Sequence, residues 1–176
     1  MAINTDIYGS LDEADTYFEN RLHETAWTSA TSANRRKALI AARAIVDALN
    51  YKGVKHGVHM LYGLGLETSG GSQDDIRAAE ASQPLEFPRG ADTEVPEAIR
   101  IAEYEIAYAL LDGKDPELEL ENLAVSAMGY GAVKTSYERS QLPIEHIVNL
   151  VPSSVAWRLL KPFLRDSDAL KLSRLS

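Results

Sequence analysis

Between Val95 and Leu111 the apolar positions Val95, Ile99, Ala102, Ile106 and Leu110 recur at intervals of three and four, which places them on one face of a helix. Tyr104, Ala107, Tyr108 and Leu111 make a second apolar surface on the same helix. Pro96 suits the first helical turn, where no N–H is required and φ is already near the helical value. Gly113 suits the position just past the helix end, which often needs a left-handed backbone. A helix that is apolar on two sides has more to bury than one small core offers. It is either a central core helix or one that packs inside its own subunit and also against another copy.

The same periodicity marks three further helices. Ser10-Leu11-Asp12-Glu13 is a capping-box pattern, followed by a stripe of Leu11, Ala14, Phe18 and Leu22, which predicts a helix over 11–22. Residues 23–32 read as a polar connection. Its Trp27 reads as a core plug under the loop, with a binding anchor as the alternative. Ser32 is the expected cap of a helix over 33–50 whose inner face is Ala38, Ala42, Ile45, Val46 and Leu49. The last helix starts at Ser153 or Ser154, turns Ala156, Leu159 and Leu160 inward, and ends near residue 160 because of Pro162.

Elsewhere the pattern is weaker. Residues 51–82 mix apolar positions with six glycines, which argues for a protruding loop with a short strand, followed by a short helix capped around Ser72 to Asp75. Whether this excursion touches a neighbour or its own domain is open. Residues 115–122 alternate acid and leucine and read as an extended or short helical linker. Two β-prone runs flank Gly129-Tyr130-Gly131 and predict a β-hairpin over 123–138. The expected fold is mainly α: a compact bundle of about four helices over residues 1–164, with one hairpin, the 53–82 loop and an extended C-terminal tail over 165–176.

Composition narrows the function. A chain of 176 residues can bury about 70% of its unfolded surface. It has no cysteine, which excludes disulfides and cysteine-based zinc sites. The first 25 residues carry no secretory pattern, and no apolar run is long enough to cross a bilayer, so no membrane partner is expected. The net charge of −8 argues against binding nucleic acid through its phosphates. The one tight basic run, Arg35-Arg36-Lys37, reads as a solvated first helical turn or as a contact to an acidic partner.

Candidate chemistry is sparse. His56 and His59 have ligand spacing for a helix, but the surrounding glycines argue against one, and no metal is expected. Glu103 and Glu105 lie two apart and so point to different sides of a helix. With Glu117, Glu119 and Glu121 they read as a solvated or DNA-repelling surface. Gly63-Leu64-Gly65 lacks the rest of a dinucleotide fingerprint, and there is no phosphate loop or nucleophile elbow. No catalytic residue and no cofactor is expected, and the chain does not read as an enzyme.

One resemblance emerges from the motifs together. Leu85-Glu86-Phe87-Pro88-Arg89-Gly90 leads into a Val95-Pro96-Glu97-Ala98-Ile99-Arg100 helix start that runs to Leu110-Leu111-Asp112-Gly113. To these are added the early Tyr8-Gly9-Ser10-Leu11-Asp12-Glu13 start, Ala26-Trp27, Gly129-Tyr130-Gly131, Ala156-Trp157-Arg158-Leu159-Leu160 and a closing Ser173-Arg174-Leu175-Ser176. In order and spacing this resembles the head-to-tail adaptor (connector) proteins of tailed bacteriophages over roughly residues 6–176. Members of that group are often labelled DnaT-like single-stranded-DNA-binding proteins, which makes a replication accessory protein the rival expectation.

The resemblance implies a virion protein of the neck, present in the host cytoplasm during assembly. It implies a ring, usually twelvefold, that sits below the portal protein, meets a downstream neck or tail protein, and passes double-stranded DNA without specific binding. It also implies portal docking by the C-terminal segment, here Leu170, Lys171, Leu172, Ser173, Arg174 and Leu175. Subunits are then expected to meet through Ala38, Ala42, Tyr104, Tyr108 and Leu111.

Overall fold

The computed structural model describes residues 6–63, 73–124, 127–130, 133–136 and 145–165, with backbone alone at 62–63, 123–124, 127–130 and 133–136. Its helices are α1 (Leu11–Glu19), α2 (Thr25–Thr28), α3 (Ser32–Asp47), α4 (His56–Gly63), α5 (Gln73–Ser82), α6 (Glu97–Leu111), α7 (Pro116–Ala124), α8 (Glu145–Val148) and α9 (Ser154–Leu160), which runs into a 3-10 turn at Lys161–Phe163. The mainly helical class is therefore as the patterning predicts, although the described helices outnumber the four expected.

The helix over 97–111 is the axis of the fold. It packs chiefly against α3 and α9, with α2 at a further side. Ile99, Ala102, Tyr104, Ile106, Ala107 and Ala109 are all buried. Gly113 follows the C-cap Asp112 with φ of 83°, the left-handed backbone its position suggests, whereas Pro96 stands at the N-cap, one residue before the first helical turn expected for it. Both apolar faces of α6 are thus covered by the chain's own elements. Ala38, Ala42 and Tyr104, expected at a subunit interface, lie inside this core, and Tyr108 and Leu111 are half-buried against it. The small side chains of Ala38 and Ala42 let α6 of the same chain approach, a role the pattern cannot tell from approach by a neighbour.

Local chemistry explains the shifted boundaries. Ser10 caps α1 by accepting from the Glu13 N–H at 3.1 Å, while its hydroxyl donates to the Glu13 carboxylate at 3.1 Å. The helix stops at Glu19, and His23 takes a positive φ of 61°. Leu22, expected on the inner stripe, therefore falls beyond the helix and is 82% exposed. Trp27 is buried on the short helix α2, stacked on Phe18 at 4.5 Å, which is the core-plug reading. The cap of α3 is Thr31, one residue before the expected Ser32; its hydroxyl accepts from Asn34 N–H at 3.3 Å.

The glycine-rich stretch departs most from expectation, because residues 56–63 form α4 and not a loop with a strand. At Gly57 an added Cβ would stand 3.3 Å from the Ala79 carbonyl oxygen. This glycine lets α5 pass close to α4, where composition suggested a break. Val58 is buried, so that part of the stretch belongs to the body. The 115–122 segment is helical in α7, started by Asp115, whose carboxylate accepts from the N–H groups of Glu117 at 3.0 Å and Leu118 at 3.3 Å. Ser153 caps α9 by accepting from Ala156 N–H at 3.3 Å.

The backbone pairs Ala127–Tyr130 antiparallel with Val133–Ser136. The side chains of both runs lie outside the described residues, and the expected hairpin over 123–138 is not supported as part of the fold. The expected portal-docking residues Leu170, Lys171, Leu172, Ser173, Arg174 and Leu175 lie outside the described residues.

Candidate functional site

The turn over 83–90, which carries the resemblance, is a keystone between three parts of the body. Its alternation sends Leu85 and Phe87 into the core and leaves Glu86 half-buried. Phe87 meets Tyr51 edge-on at 4.7 Å, Phe163 at 5.7 Å and Tyr8 at 6.0 Å, so one ring joins the N-terminal segment, the end of α3 and the end of α9. The Phe87–Pro88 peptide is cis. Arg89 donates from Nε to the Lys52 carbonyl at 3.0 Å and from Nη2 to the Gly53 carbonyl at 2.7 Å. Lys55 lies 3.3 Å from the Glu86 carboxylate, and the Gln83 amide closes the loop by donating to Pro88 O at 2.8 Å and Leu85 O at 3.1 Å. Gly90 N–H donates to Val54 O at 2.9 Å with φ of 58°, which explains the glycine after the arginine.

A polar chain runs from this turn to α3. The Tyr8 hydroxyl donates to Asp47, Asp47 pairs with Arg43 at 3.1 Å, and the Glu86 N–H donates to the Tyr8 hydroxyl at 3.1 Å. Burial first, then the hydrogen bond to Asp47, pushes the Tyr8 phenol well above its ordinary range, so it stays protonated as the donor.

The largest correction concerns Glu103 and Glu105, expected on a solvated surface and found 0% and 2% exposed. They do point to different sides of α6, and each grips a different part of the N-terminal region. Glu105 takes Arg21, with Nε at 2.9 Å and Nη2 at 3.0 Å, and accepts from the Tyr17 hydroxyl at 2.7 Å. The Arg21 guanidinium lies over the Tyr108 ring at 4.4 Å. Glu103 accepts from the backbone N–H of Tyr8 at 3.0 Å and of Gly9 at 3.3 Å. Burial pushes its carboxyl up to about 8, against the lowering effect of those two N–H groups. A signal was present in the sequence: two carboxylates flanked by apolar residues on both apolar sides of a helix point to burial, and buried carboxylates need partners.

Two clefts flank this region. One of 730 Å³ lies between α1 and the first half of α6, with Glu13, Arg21, Glu97 and Arg100 among its walls. Arg100 there pairs with Glu13 at 3.1 Å. The other, of 470 Å³, lies between residues 7–9 and the 82–95 stretch and has no charged side chain in its lining. Gly9 is where this segment crosses α6: an added Cβ would sit 1.9 Å from the Tyr104 hydroxyl and 2.9 Å from its ring. Gly9→Ala is expected to destabilise the fold by about 1–3 kcal/mol, because the Tyr104 ring must leave its place. Urea unfolding of the two proteins measures the difference.

The remaining candidates fall into plain structural roles. Arg35 is half-buried and fixes the α1–α3 connection, donating to Trp27 O at 3.0 Å and pairing with Asp15 at 3.0 Å. Arg36 is exposed and pairs with Asp6 at 3.1 Å. His56 and His59 lie on α4 after all, and His56 Nδ1 stands 3.0 Å from the Gly90 carbonyl oxygen. Among the described residues no group of three or more His, Asp or Glu side chains could hold a metal ion. Glu117 and Glu121 are exposed on α7, and Glu119 is half-buried.

Compared with known protein families, curated proteins and solved structures, the chain shows no significant match.

Proposed function

We propose that this chain is a structural protein of a phage neck: a head-to-tail adaptor that forms a ring below the portal, joins capsid to tail and continues the DNA channel. The observation that carries the reading is the fate of the residues that resemble that family. Leu85 and Phe87 are core anchors, Arg89 and Gly90 lock the turn onto residues 52–54, and the helix from Glu97 to Leu111 is the axis of the body. A motif made of such positions specifies a body and leaves the surface free to serve assembly. A net charge of −8 supports a passage that repels the DNA backbone, where a basic wall would hold it.

In this proposal copies meet through heterologous patches, since only two different surfaces per subunit close a ring. With Ala38, Ala42 and Tyr104 committed to the core, those patches lie elsewhere. Leu118, Val148 and Val155 are exposed on α7, α8 and the start of α9, Leu150 on the turn after α8, and Ile40 on the outer side of α3. The hairpin and the C-terminal arm over 165–176 are, in this reading, the parts that reach neighbours, with the arm docking on the portal.

The test is reconstitution with the portal protein of the virion that, in this reading, contains the chain. The full chain is expected to bind portal rings, and a version lacking 165–176 is expected to stay folded and lose that binding. The same full chain is expected to show no salt-dependent binding to single-stranded DNA in an anisotropy titration at low salt. Tight, salt-sensitive binding to the strand with none to the portal favours the replication accessory reading and ends this one.

A further inference from the structure

The chain covers one face of α3 and leaves the other in water. Ala38, Leu39, Ala42 and Val46 are buried in the core with α6. On the opposite side Ala33, Lys37, Ile40, Ala41, Ala44 and Ala48 are all exposed, at the spacings that make a single helix face. A solvated helix face ordinarily carries charged and polar side chains. Here Lys37 is the one charge on the face, with Arg36 at its margin.

A second apolar patch lies on other elements. Leu118 on α7 is 54% exposed, Val148 on α8 56%, and Val155 at the start of α9 44%. Helix α7 packs on α8, and the turn after α8 leads into α9. Leu150 in that turn has φ of 57°, the left-handed backbone where glycine is favoured. Its side chain is exposed beside those of the patch. The turn thus adds a leucine at a position where local chemistry favours glycine.

The two surfaces differ in sign. Lys37 and Arg36 border the α3 face, and Arg36 pairs with Asp6 with both side chains half exposed. Glu117 and Glu121 stand exposed beside Leu118. Among the described residues Lys37, Glu117 and Glu121 take part in no ion pair.

We propose that these surfaces meet between copies: the outer face of α3 on one subunit receives the α7–α8 patch of the next, apolar on apolar and Lys37 on Glu121.

The spacing fits an antiparallel crossing of α3 and α7. Lys37 lies three residues before Ile40, and Glu121 three residues after Leu118. Ile40 against Leu118 therefore sets the lysine beside the glutamate. Ala41 and Ala44 keep the α3 face low, so the larger Leu118, Val148 and Leu150 can close on it. Contact of α3 with α3 would bring lysine to lysine, and of α7 with α7 glutamate to glutamate, so the charges select the unlike pairing. Within one chain the two surfaces do not meet, since both are exposed. Each copy offers one of each, so the contact is head-to-tail and repeats. The adaptor reading, on which this pairing rests, needs two such patches outside the core.

The chain has no cysteine, so single cysteines report the contact without background. Ile40→Cys and Leu118→Cys replace exposed side chains and are expected to keep the wild-type circular dichroism. With a short bis-maleimide, an equal mixture of the two full-length variants is expected to give far more linked dimer than either variant alone. Adding Lys37→Glu to the Ile40→Cys variant is expected to lower that yield by about two- to fivefold. Adding Glu121→Lys to the Leu118→Cys variant as well is expected to restore it. A mixture that links no better than the single variants, or a yield unmoved by the charge reversal, overturns the pairing. The link is read in purified protein without a portal. Linked dimer from a chain absent from virions keeps the interface and removes the adaptor reading. A chain present in virions that gives no mixed product does the reverse.

Discussion

Phe18→Ala is expected to lower the unfolding free energy by about 3–5 kcal/mol, the largest loss for any single apolar truncation discussed here. The ring is 1% exposed and sits at the meeting point of three helices. It stacks on Trp27 at 4.5 Å and on Tyr108 at 5.6 Å, and meets Tyr17 edge-on at 5.1 Å. Removing it opens a cavity whose walls are aromatic rings anchored elsewhere: Trp27 by its indole N–H on Asp15 at 2.7 Å, Tyr17 by its hydroxyl on Glu105 at 2.7 Å. Such walls cannot collapse inward, which puts the cost at the upper end for a phenylalanine. Phe18→Leu keeps most of the volume and is expected to cost about 1–2 kcal/mol. Urea denaturation midpoints at constant slope measure both. A loss under about 1 kcal/mol for the alanine variant would show that α1 does not pack on α2 and α6 as described.

Glu105→Ala is the second large effect, expected at about 2–4 kcal/mol. The carboxylate is the partner of the Arg21 guanidinium and the acceptor for Tyr17. Deleting it strands the cation, whose Nη1 is already buried without a hydrogen-bond partner. Arg21 is 26% exposed at its side chain, so water relieves part of the penalty, and the expectation is set below that for a fully buried pair. Removing both charges should cost less than removing one: Arg21→Met with Glu105→Leu is expected to recover at least half of the loss, because the pair's favourable attraction largely offsets its desolvation. A double variant as unstable as the single one would mean that packing around the guanidinium stem, and not the stranded charge, sets the cost.

The elements legible in the sequence are those where periodicity and caps agree. Pro96 and Gly113 bracket α6, Ser10 and Glu13 start α1, and Ser153 starts α9, and each is a side chain acting on its own neighbourhood. What long-range contacts decide was not legible. Gly57 looks like a helix breaker until α5 is seen to pass it, and Leu22 looks like a core position until the chain turns at His23. The second face of α6 suggested a partner molecule, yet α3, α9 and the N-terminal region of the same chain cover it. The buried carboxylates were misread for the same reason. The spacing of Glu103 and Glu105 rules out a mutual pair and reads as a solvated surface, whereas their partners lie 94–95 and 84–88 residues away.

The candidate site divides in the same way. The 83–90 turn was recognisable as a unit, because its alternation and its Pro-Arg-Gly ending are local. Its use was not, because the carbonyls of Lys52 and Gly53 that Arg89 holds belong to another stretch of chain. The six expected portal-docking positions between Leu170 and Leu175 stay a proposal of the resemblance alone.

The adaptor reading stands or falls on where the chain resides. Quantitative mass spectrometry of gradient-purified virions from cells producing this chain measures that directly. The account predicts the chain in full particles at about the copy number of the portal subunit, retained after the tails are sheared off. Particles that contain the portal and lack this chain would contradict it.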